Sequence, residues 1–366
     1  MNGRPRIATP AGRGRPTRRA PVAALALLTV LVAGCAVDDD PTTAQSSSAA
    51  SGHYPVTVEN CGRKVTFDKA PSRVYLGFQP AAELFFELGL GDRAIAQIKP
   101  MDDPLPEQAA DFARVPDKSP DSYVPVGKEE MLALRPDLLF AYVNSEYGGP
   151  EQLASGLATV DDLKNIGANV YALVCPNEEP IRVDFTYRAL KDLGVIFDIE
   201  DRANALADRL KARVADVQHR VAGRKPVPVF FYYGGEGPIY TGTRDAYVDE
   251  MIRLAGGKNV FGDIGGGRRG FLEVSRETAA AKNPDFFLVD ASPNYDQDAQ
   301  AKADYLFRTF PEMQASKDRR FGLTYDTANT PGIRYVDVIE NLARALHPDA
   351  FADQPAGSPA TSAAGT

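Results

Sequence analysis

The stretch PDLLFAY at residues 136–142 decides the fold class, because it is a Pro-Asp turn followed by an uninterrupted apolar run. The same order returns as PDFFLVD at residues 284–290. Each stretch begins seven residues after the glutamate of a short helix-forming segment, VGKE at 126–129 and VSRE at 274–277. A run without polar alternation is typical of a strand buried on both faces of a parallel sheet. The repeat therefore predicts two similar units in one chain.

An amphipathic helix that ends at glycine lies upstream of each repeat. Residues 81–88 precede Gly89, and residues 248–255 precede the next glycine pair. Glycine supplies the left-handed backbone that ends a helix. Helices that alternate with strands indicate the α/β class. We therefore predict two α/β lobes, each with a mostly parallel central sheet.

The longest helical stretch lies between the two repeats. Residues 183–197 and 200–222 carry apolar side chains at helical spacing, and Gly194 and Asp198 permit a break between them. A helix of more than twenty residues spans about 30 Å. We predict that the second segment is a long backbone helix that joins the two lobes and runs along both.

The N-terminus is typical of an export signal. Six arginines and no acidic residue precede an apolar run at 22–32, which ends in the sequence VAGC at residues 32–35. This order is that of a secretory signal peptide, and a cysteine at the processing site resembles the bacterial lipobox, in which Cys35 is acylated. The run is shorter than the roughly 20 residues of a transmembrane helix. Export by the Sec or the twin-arginine route stays open.

Charge and composition set the partners and the boundaries. Taking the six arginines away from a formal charge of −8 leaves −14, which disfavours nucleic acid as a partner. The segments at both ends are poor in large apolar side chains and are not expected to fold. The predicted organisation is a signal peptide at 1–34, a lipid-anchored tether at 35–53, a first lobe at 54–198, a connecting helix at 199–223, a second lobe at 224–351 and a disordered tail at 352–366.

Two cysteines remain once Cys35 is acylated. Cys61 and Cys175 form an even pair in an exported chain, which is best interpreted as one disulfide. Two free thiols or a metal pair are the alternatives, but the chain has no CxxC and only three histidines.

Ligand-binding candidates follow from the rule that open α/β sheets bind ligands beyond the carboxyl ends of their strands. The rule selects aromatic and amide side chains, although some of the tyrosines can instead pack in the lobe cores. These candidates are Gln79, Tyr142, Asn144, Tyr233, Tyr240, Tyr325 and Asn329.

Three arginines complete the predicted ligand site. Arg268 and Arg269 lie in a glycine-rich loop that lacks the context of a phosphate-binding loop. They are suited to an anionic ligand, with a plain solvated loop as the alternative. Arg334 follows a Thr-Pro-Gly turn.

Several short motifs occur in a specific order along the chain, besides the two Pro-Asp strands: YPVTVENCG at 54–62, APSRV at 70–74, LGLGDR at 88–93, AGGKNVF at 255–261 and TPGI at 330–333. This order resembles that of bacterial substrate-binding proteins of the iron-siderophore and cobalamin importer class, and the likeness covers about residues 54–348. It implies two lobes joined by one helix, with the ligand in the cleft between them. It also implies one permease-docking acid on each lobe. The matching positions are Glu151 and Asp245, with Glu250 as a fallback, although acids at helix N-termini need no partner.

The expected function is capture without chemistry. We expect a monomer, lipid-anchored to the outer face of the cell membrane, that binds a ferric siderophore or a similar bulky chelate and delivers it to an ABC permease in the cytoplasmic membrane. The siderophore holds the iron, so no protein metal ligands and no cofactor are predicted. The alternatives are cobalamin, haem, and an envelope sensor or structural lipoprotein without transport. An enzyme is disfavoured, since GxSxG and HExxH are missing.

Overall fold

Two parallel four-stranded sheets form the centres of the fold. The computed structural model describes residues 52–120, 124–142, 156–175, 178, 180–236, 238–267, 270–292 and 298–353. Its strands are β1 (Val56–Asn60), β2 (Arg63–Phe67), β3 (Val74–Leu76), β4 (Ala94–Gln97), β5 (Leu138–Ala141), β6 (Asn169–Ala172), β7 (Val227–Tyr232), β8 (Ile239–Gly242), β9 (Gly257–Asn259), β10 (Phe271–Val274), β11 (Phe286–Asp290) and β12 (Phe321–Thr324). Its helices are α1 (Gln79–Glu87), α2 (Ala109–Arg114), α3 (Lys128–Leu134), α4 (Val160–Asn165), α5 (Asp184–Phe197), α6 (Glu200–Val221), α7 (Tyr247–Leu254), α8 (Arg276–Ala280), α9 (Ala299–Thr309), α10 (Gln314–Lys317) and α11 (Tyr335–Leu346).

The two sheets have the same topology. The first lobe has the strand order β4-β3-β5-β6 and the second lobe has the order β9-β7-β11-β12. All pairs within both sheets are parallel. In each sheet the strand that comes first along the chain lies between the second and the third, so β3 lies between β4 and β5, and β7 lies between β9 and β11. The predicted fold class and the repeat that led to it are confirmed.

The Pro-Asp turn sets the register of the first sheet. The Asp137 carboxylate accepts hydrogen bonds from the backbone N–H groups of Ser72 and Arg73, both at 2.8 Å. These bonds place the start of β5 beside the start of β3, with Val74 opposite Leu138. A carboxylate that accepts two backbone donors satisfies groups that the strand ladder leaves unpaired.

Both faces of each sheet are buried, as the apolar runs predict. Leu138 and Phe140 belong to one hydrophobic cluster, whereas the alternating Leu139 and Ala141 belong to another. In the second lobe, Leu288 likewise lies in the first of these clusters. The cluster shared by the two lobes also contains the apolar stripe of α6, so one continuous core connects them.

Helix α6 contacts both lobes. Its Arg202 donates to the Leu88 carbonyl at 2.6 Å, at the end of α1 in the first lobe. Its Arg213 pairs with Asp337 at 2.6 Å and with Glu340 at 2.8 Å, both on α11 in the second lobe. The prediction of a joining helix that runs along both lobes is therefore confirmed.

The N-terminal hairpin covers the edge of the first sheet. The turn between β1 and β2 places Cys61 at φ 55° and Gly62 at φ 71°, the two positive φ values of a type I′ turn. The Asn60 side chain donates to the Ala172 carbonyl and accepts from its N–H, both at 2.8 Å. The predicted partners Cys61 and Cys175 are bonded in the structure, with their Cα atoms 5.1 Å apart.

Helix α1 starts earlier than the sequence pattern suggests. Pro80 lies in its first turn, where a missing N–H costs nothing. Strand β3 ends at Leu76, and Phe78 is the N-cap residue of α1 with extended backbone. The consequence is that Phe78 leaves the sheet at its carboxyl end.

The predicted signal peptide and lipidated Cys35 lie outside the described residues, as does the tether except for residues 52 and 53. Of the predicted tail, only residues 352 and 353 are described. None of the helices in the described ranges combines enough length and apolar character to cross a bilayer.

Candidate ligand-binding site

Each sheet has one crevice where the direction of strand addition reverses. In the first lobe it lies between β3 and β5, and in the second lobe between β7 and β11. The loops that leave these strands diverge to opposite sides, which opens a space beyond the carboxyl ends. The side chains at these two crevices are therefore the first candidates for ligand contact.

An aromatic pair lies at the crevice of the first lobe. The rings of Phe78 and Tyr142 stack with centroids 4.8 Å apart and an interplanar angle of 26°. Tyr142 is partly buried and immediately follows β5. The sequence predicted Tyr142 as a ligand contact at this position but did not select Phe78. Phe78 is only 5% exposed and Tyr142 is partly buried, so at this crevice Tyr142 lies against a buried aromatic ring.

A second aromatic pair lies at the crevice of the other lobe. Tyr233 immediately follows β7, and its ring meets the ring of Phe271 edge to face at 5.3 Å. The Tyr233 N–H donates to the Tyr240 carbonyl at 3.1 Å, which ties β8 to this edge. Tyr240 itself is 45% exposed. Tyr233 and Tyr240 were both predicted from the sequence, whereas Phe271 was not.

Lys302 joins the two strands that flank the second crevice. Its ammonium group donates to the carbonyl of Tyr233 at 3.1 Å and to the carbonyl of Asp290 at 2.8 Å, which follow and end β7 and β11 respectively. The side chain is buried on α9. Lys302 was not selected from the sequence. Its position beside Ala303 on an amphipathic helix indicates a buried lysine and could have identified it.

Gln79 is buried and bonded within the protein. Its amide NH₂ donates to Glu83 Oε1 at 2.9 Å and to the Asp102 carbonyl at 3.0 Å. Its amide oxygen accepts from the N–H groups of Met101 and Asp102, at 2.8 and 2.9 Å. The amide oxygen and both amide protons are thus engaged, and Gln79 fastens the loop after β4 to the start of α1.

Arg334 connects the second lobe to the first. Its Nε donates to Glu83 Oε1 at 2.8 Å, and its Nη2 donates to the Asp103 carbonyl at 2.6 Å. The side chains of Arg334 and Glu83 are only 8% and 0% exposed. Burial raises the pKa of the Glu83 carboxyl, and the Arg334 charge lowers it by less. Burial lowers the pKa of Arg334, but Glu83, Asp102 and Tyr325 together outweigh burial, so the pKa of Arg334 is raised.

A second contact between the lobes lies beside this ion pair. Asp102 Oδ2 accepts from the backbone N–H of Thr327 at 3.3 Å and also from the Thr327 hydroxyl. The Thr330-Pro331-Gly332 turn approaches α1 closely: a Cβ on Gly332 would lie 3.0 Å from the Pro80 Cβ. We call Gln79, Glu83, Asp102, Thr327 and Arg334 the interlobe junction.

Two other predicted residues lie close to this junction. Asn329 is buried, donates to the Asp290 carboxylate and contacts the Thr324 hydroxyl at 3.3 Å. Tyr325 is partly buried, and its ring centroid is 6.0 Å from the Arg334 guanidinium carbon. Asn329 therefore holds the turn after β12 in place.

The glycine-rich loop is anchored at its base. The Thr243 N–H donates to the Gly270 carbonyl at 2.7 Å, and the Gly266 N–H donates to Asp245 Oδ2 at 2.6 Å. Gly270 has φ 77°, and a Cβ there would lie 2.1 Å from the Ala246 nitrogen. Only glycine fits this position. Asp245 thus has a structural partner inside the chain.

Several predicted residues lie outside the described ranges, namely Asn144, Glu151, Arg268 and Arg269. Glu250 is described: its carboxylate accepts from the Val183 N–H at 2.9 Å, next to α5. Within the described ranges, the only group of at least three His, Cys, Asp and Glu side chains close enough to share a metal ion lies elsewhere, where α5 meets α6. The side chains described at the two crevices can contact a ligand by aromatic stacking and by hydrogen bonds.

Comparison with known proteins gives consistent similarities. The family described as periplasmic binding protein matches residues 78–317. An ABC transporter substrate-binding lipoprotein of Bacillus subtilis strain 168, YvrC, itself uncharacterized, is 23% identical over 334 residues, which is 90% of this chain and 97% of that protein. The vitamin B12-binding protein of Yersinia pestis (strain Pestoides F) is 25% identical over 224 residues, 61% of this chain and 71% of that protein. The crystal structure of an ABC-type Fe3+-hydroxamate transport system from Saccharomonospora viridis superposes with a TM-score of 0.63 at 24% identity, covering 80% of this chain and 99% of that one.

Proposed function

Because the chain belongs to the periplasmic binding protein family, we propose that it captures a ferric siderophore for an ABC importer. Its place as the substrate-binding component of an ABC transporter, in the group that takes siderophores, vitamin B12 and haem, follows from its relatives. The finer assignment to a ferric siderophore is our proposal. Iron arrives inside the chelate, so the protein acts by recognition and release, without chemistry.

The paired aromatic surfaces at the two crevices carry this proposal. Phe78 and Tyr142 stack at one crevice, and Tyr233 and Phe271 meet at the other. Flat aromatic faces bind bulky, partly apolar ligands through contact area, with the phenol groups of tyrosine supplying hydrogen bonds. Such contacts form no covalent bond and suit a ligand that must later be released.

Two cations near the crevices, Arg334 and Lys302, are already engaged within the protein. The Arg334 guanidinium is bonded to Glu83, and the Lys302 ammonium donates to two backbone carbonyls. Neither group is an exposed anion receptor. Ferric hydroxamates carry little net charge, and the structural neighbour from S. viridis is named for ferric hydroxamate transport. We therefore place hydroxamates first among the siderophores.

Cobalamin is the second candidate, since one relative is named a vitamin B12-binding protein. Haem is the third: the chain has only three histidines, although tyrosine can also ligate haem iron. An envelope lipoprotein without transport is the remaining alternative.

A ligand titration tests the proposal. Tyrosine is the intrinsic probe, since the chain has 15 tyrosines and no tryptophan. Ferric siderophores absorb light, so calorimetry and the gallium(III) form of the same hydroxamate serve as controls for optical artefacts. We expect the ferric and gallium forms to bind alike and the metal-free siderophore to bind more weakly. Binding of cobalamin or haem in preference would reassign the ligand, and binding of none of the three would contradict capture.

We propose that Arg268 and Arg269 contact an anionic part of the chelate from the glycine-rich loop. Replacing both by alanine should weaken the binding of a chelate that carries an anionic group. If the two arginines serve the ligand alone, the melting temperature should stay nearly unchanged, because substitutions away from packed or paired groups have small effects on stability. A control variant, R253A/R308A, removes the same two charges from exposed helix positions. Unchanged affinity in the loop variant, or a loss of affinity equal to that of the control, would contradict the assignment.

We also propose that acylated Cys35 anchors the protein to the outer face of the cell membrane. We further propose that Glu151 and Asp245 dock it to the permease. The E151Q/D245N variant should reduce ligand uptake by cells while the purified variant binds ligand normally. Asparagine keeps an oxygen that accepts from the Gly266 N–H, so the loop base stays intact. Full uptake would contradict the docking assignment, and lost binding in vitro would place these residues in the ligand site.

A further inference from the structure

A histidine and two carboxylates converge where α5 ends and α6 begins. One ligand atom from each of His53, Asp198 and Glu200 lies within 4.8 Å of the others. We call these three side chains the hinge triad. It uses none of the residues at the sheet crevices or in the interlobe junction.

The backbone of α5 fixes the orientation of the histidine ring. His53 Nε2 lies 2.6 Å from the Val195 carbonyl oxygen. A carbonyl can only accept, so Nε2 carries the proton. The Tyr54 hydroxyl donates to the next carbonyl, Ile196, at 2.8 Å, and the two rings meet edge to face at 4.8 Å. His53 and Tyr54 thus cap the last turn of α5.

The consequence is that Nδ1 of a neutral His53 ring presents its lone pair. This atom lies 3.3 Å from Asp198 Oδ1. Two lone pairs that face each other at this distance repel, unless a cation lies between them. A proton produces an imidazolium–carboxylate pair, and a metal ion produces a coordination site.

The distance between His53 Nδ1 and Asp198 Oδ1 matches a metal ion with short bonds. Ligands about 2.0–2.1 Å from a tetrahedral zinc ion stand about 3.3 Å apart, which is the Nδ1–Oδ1 separation. Glu200 offers a third ligand atom, a carboxylate oxygen within 4.8 Å of the other two. The Asp198 side chain is 61% exposed, so water can complete the coordination. The bond from Nε2 to the Val195 carbonyl is the outer contact that zinc-bound histidines usually make through their second nitrogen.

We propose that the hinge triad is a zinc-binding site. One ion coordinated by His53 Nδ1, Asp198 and Glu200 would fasten the segment that enters the first lobe to the start of the connecting helix α6. The ligand chemistry is that of a borderline-soft divalent ion, because an imidazole nitrogen is a poor ligand for calcium or magnesium. This role is separate from the capture of a chelate between the lobes.

Calorimetric titration of the full-length chain with zinc chloride tests the proposal. We expect one ion per chain, with H53A and E200Q each lowering the affinity at least about tenfold. H219A is the matched control, since it removes an exposed histidine elsewhere on α6 and should bind as the unmodified protein does. E200Q keeps the size of the side chain and the His53 cap, so it remains informative if H53A fails to fold.

Three outcomes would overturn the zinc site: no uptake of zinc, equal affinity in E200Q and H219A, or tighter binding of calcium than of zinc. The titration needs no siderophore, so its result is independent of the transport proposal.

Discussion

Replacing Arg334 by methionine should lower the free energy of unfolding by about 3–5 kcal/mol, because it leaves the Glu83 carboxylate buried without its counter-charge. Glu83 is fully buried, and its second oxygen, Oε2, already has no hydrogen-bond partner. The expected cost is therefore that of an uncompensated charge in the interior. Urea denaturation followed by circular dichroism measures it.

Two variants separate this effect from lost packing. E83L/R334M removes both charges and should recover much of the loss, as replacement of a whole buried pair by apolar side chains often does. R213A breaks the half-exposed pairs with Asp337 and Glu340 and should cost only about 1 kcal/mol. If R334M costs no more than R213A, Arg334 is not the group that compensates Glu83.

The loss in the free energy of unfolding caused by R334M should also depend on pH. Burial raises the pKa of Glu83 in the folded protein, and loss of Arg334 raises it further. A carboxyl group with a raised folded pKa favours the folded state at low pH, and this contribution is lost as the pH rises through that pKa. The gap between R334M and the unmodified protein should therefore narrow as the pH falls from neutral into the acidic range. A constant gap would contradict the charge explanation.

Removing the disulfide with C61S/C175S should lower the free energy of unfolding by about 2–5 kcal/mol. The bond links residues separated by 114 positions, so it restricts the unfolded chain over a long loop. In the folded state the hairpin keeps its contact through Asn60 and Ala172. We therefore expect lower stability with unchanged ligand affinity, measured by urea denaturation and by the same ligand titration.

Reduction of the unmodified protein provides the control, since it should produce the same stability as the double variant. Mass analysis after treatment with an alkylating agent should find neither Cys61 nor Cys175 alkylated in the oxidised protein. Ready alkylation of Cys61 and Cys175 without a reducing agent would contradict the bond, and lost ligand affinity would show that the hairpin supports the ligand site.

The secondary structure was largely predictable because its signals are local. Strand β5 begins directly after the Pro-Asp turn, as the motif predicts, and α6 ends one residue before the end of the predicted helical stretch at 222. Apolar runs, helical spacing and glycine stops act over a few residues, so they can be recognised without knowledge of distant contacts. The same holds for the strand ends, which led to Tyr142 and Tyr233.

The partners of the polar residues within the protein were not predictable in the same way. Gln79, Asn329 and Arg334 were selected as ligand contacts, and the structure surrounds each with partners from the protein. The partner of Arg334 is Glu83, which lies 251 positions earlier in the chain. No local pattern links two such positions. The sequence around Arg334 would be the same whether its side chain paired with Glu83 or faced a ligand.

The sequence by itself thus determined the two α/β lobes, the joining helix and the cysteine pair, since each depends on short-range order or on composition. Only the tertiary structure decided which polar groups meet. In the structure Lys302 donates to carbonyls at the ends of β7 and β11, and Phe78 stacks on Tyr142. His53 lies at the junction of α5 and α6. The physical reason is that burial and charge pairing depend on neighbours in space, whereas periodicity depends on neighbours along the chain.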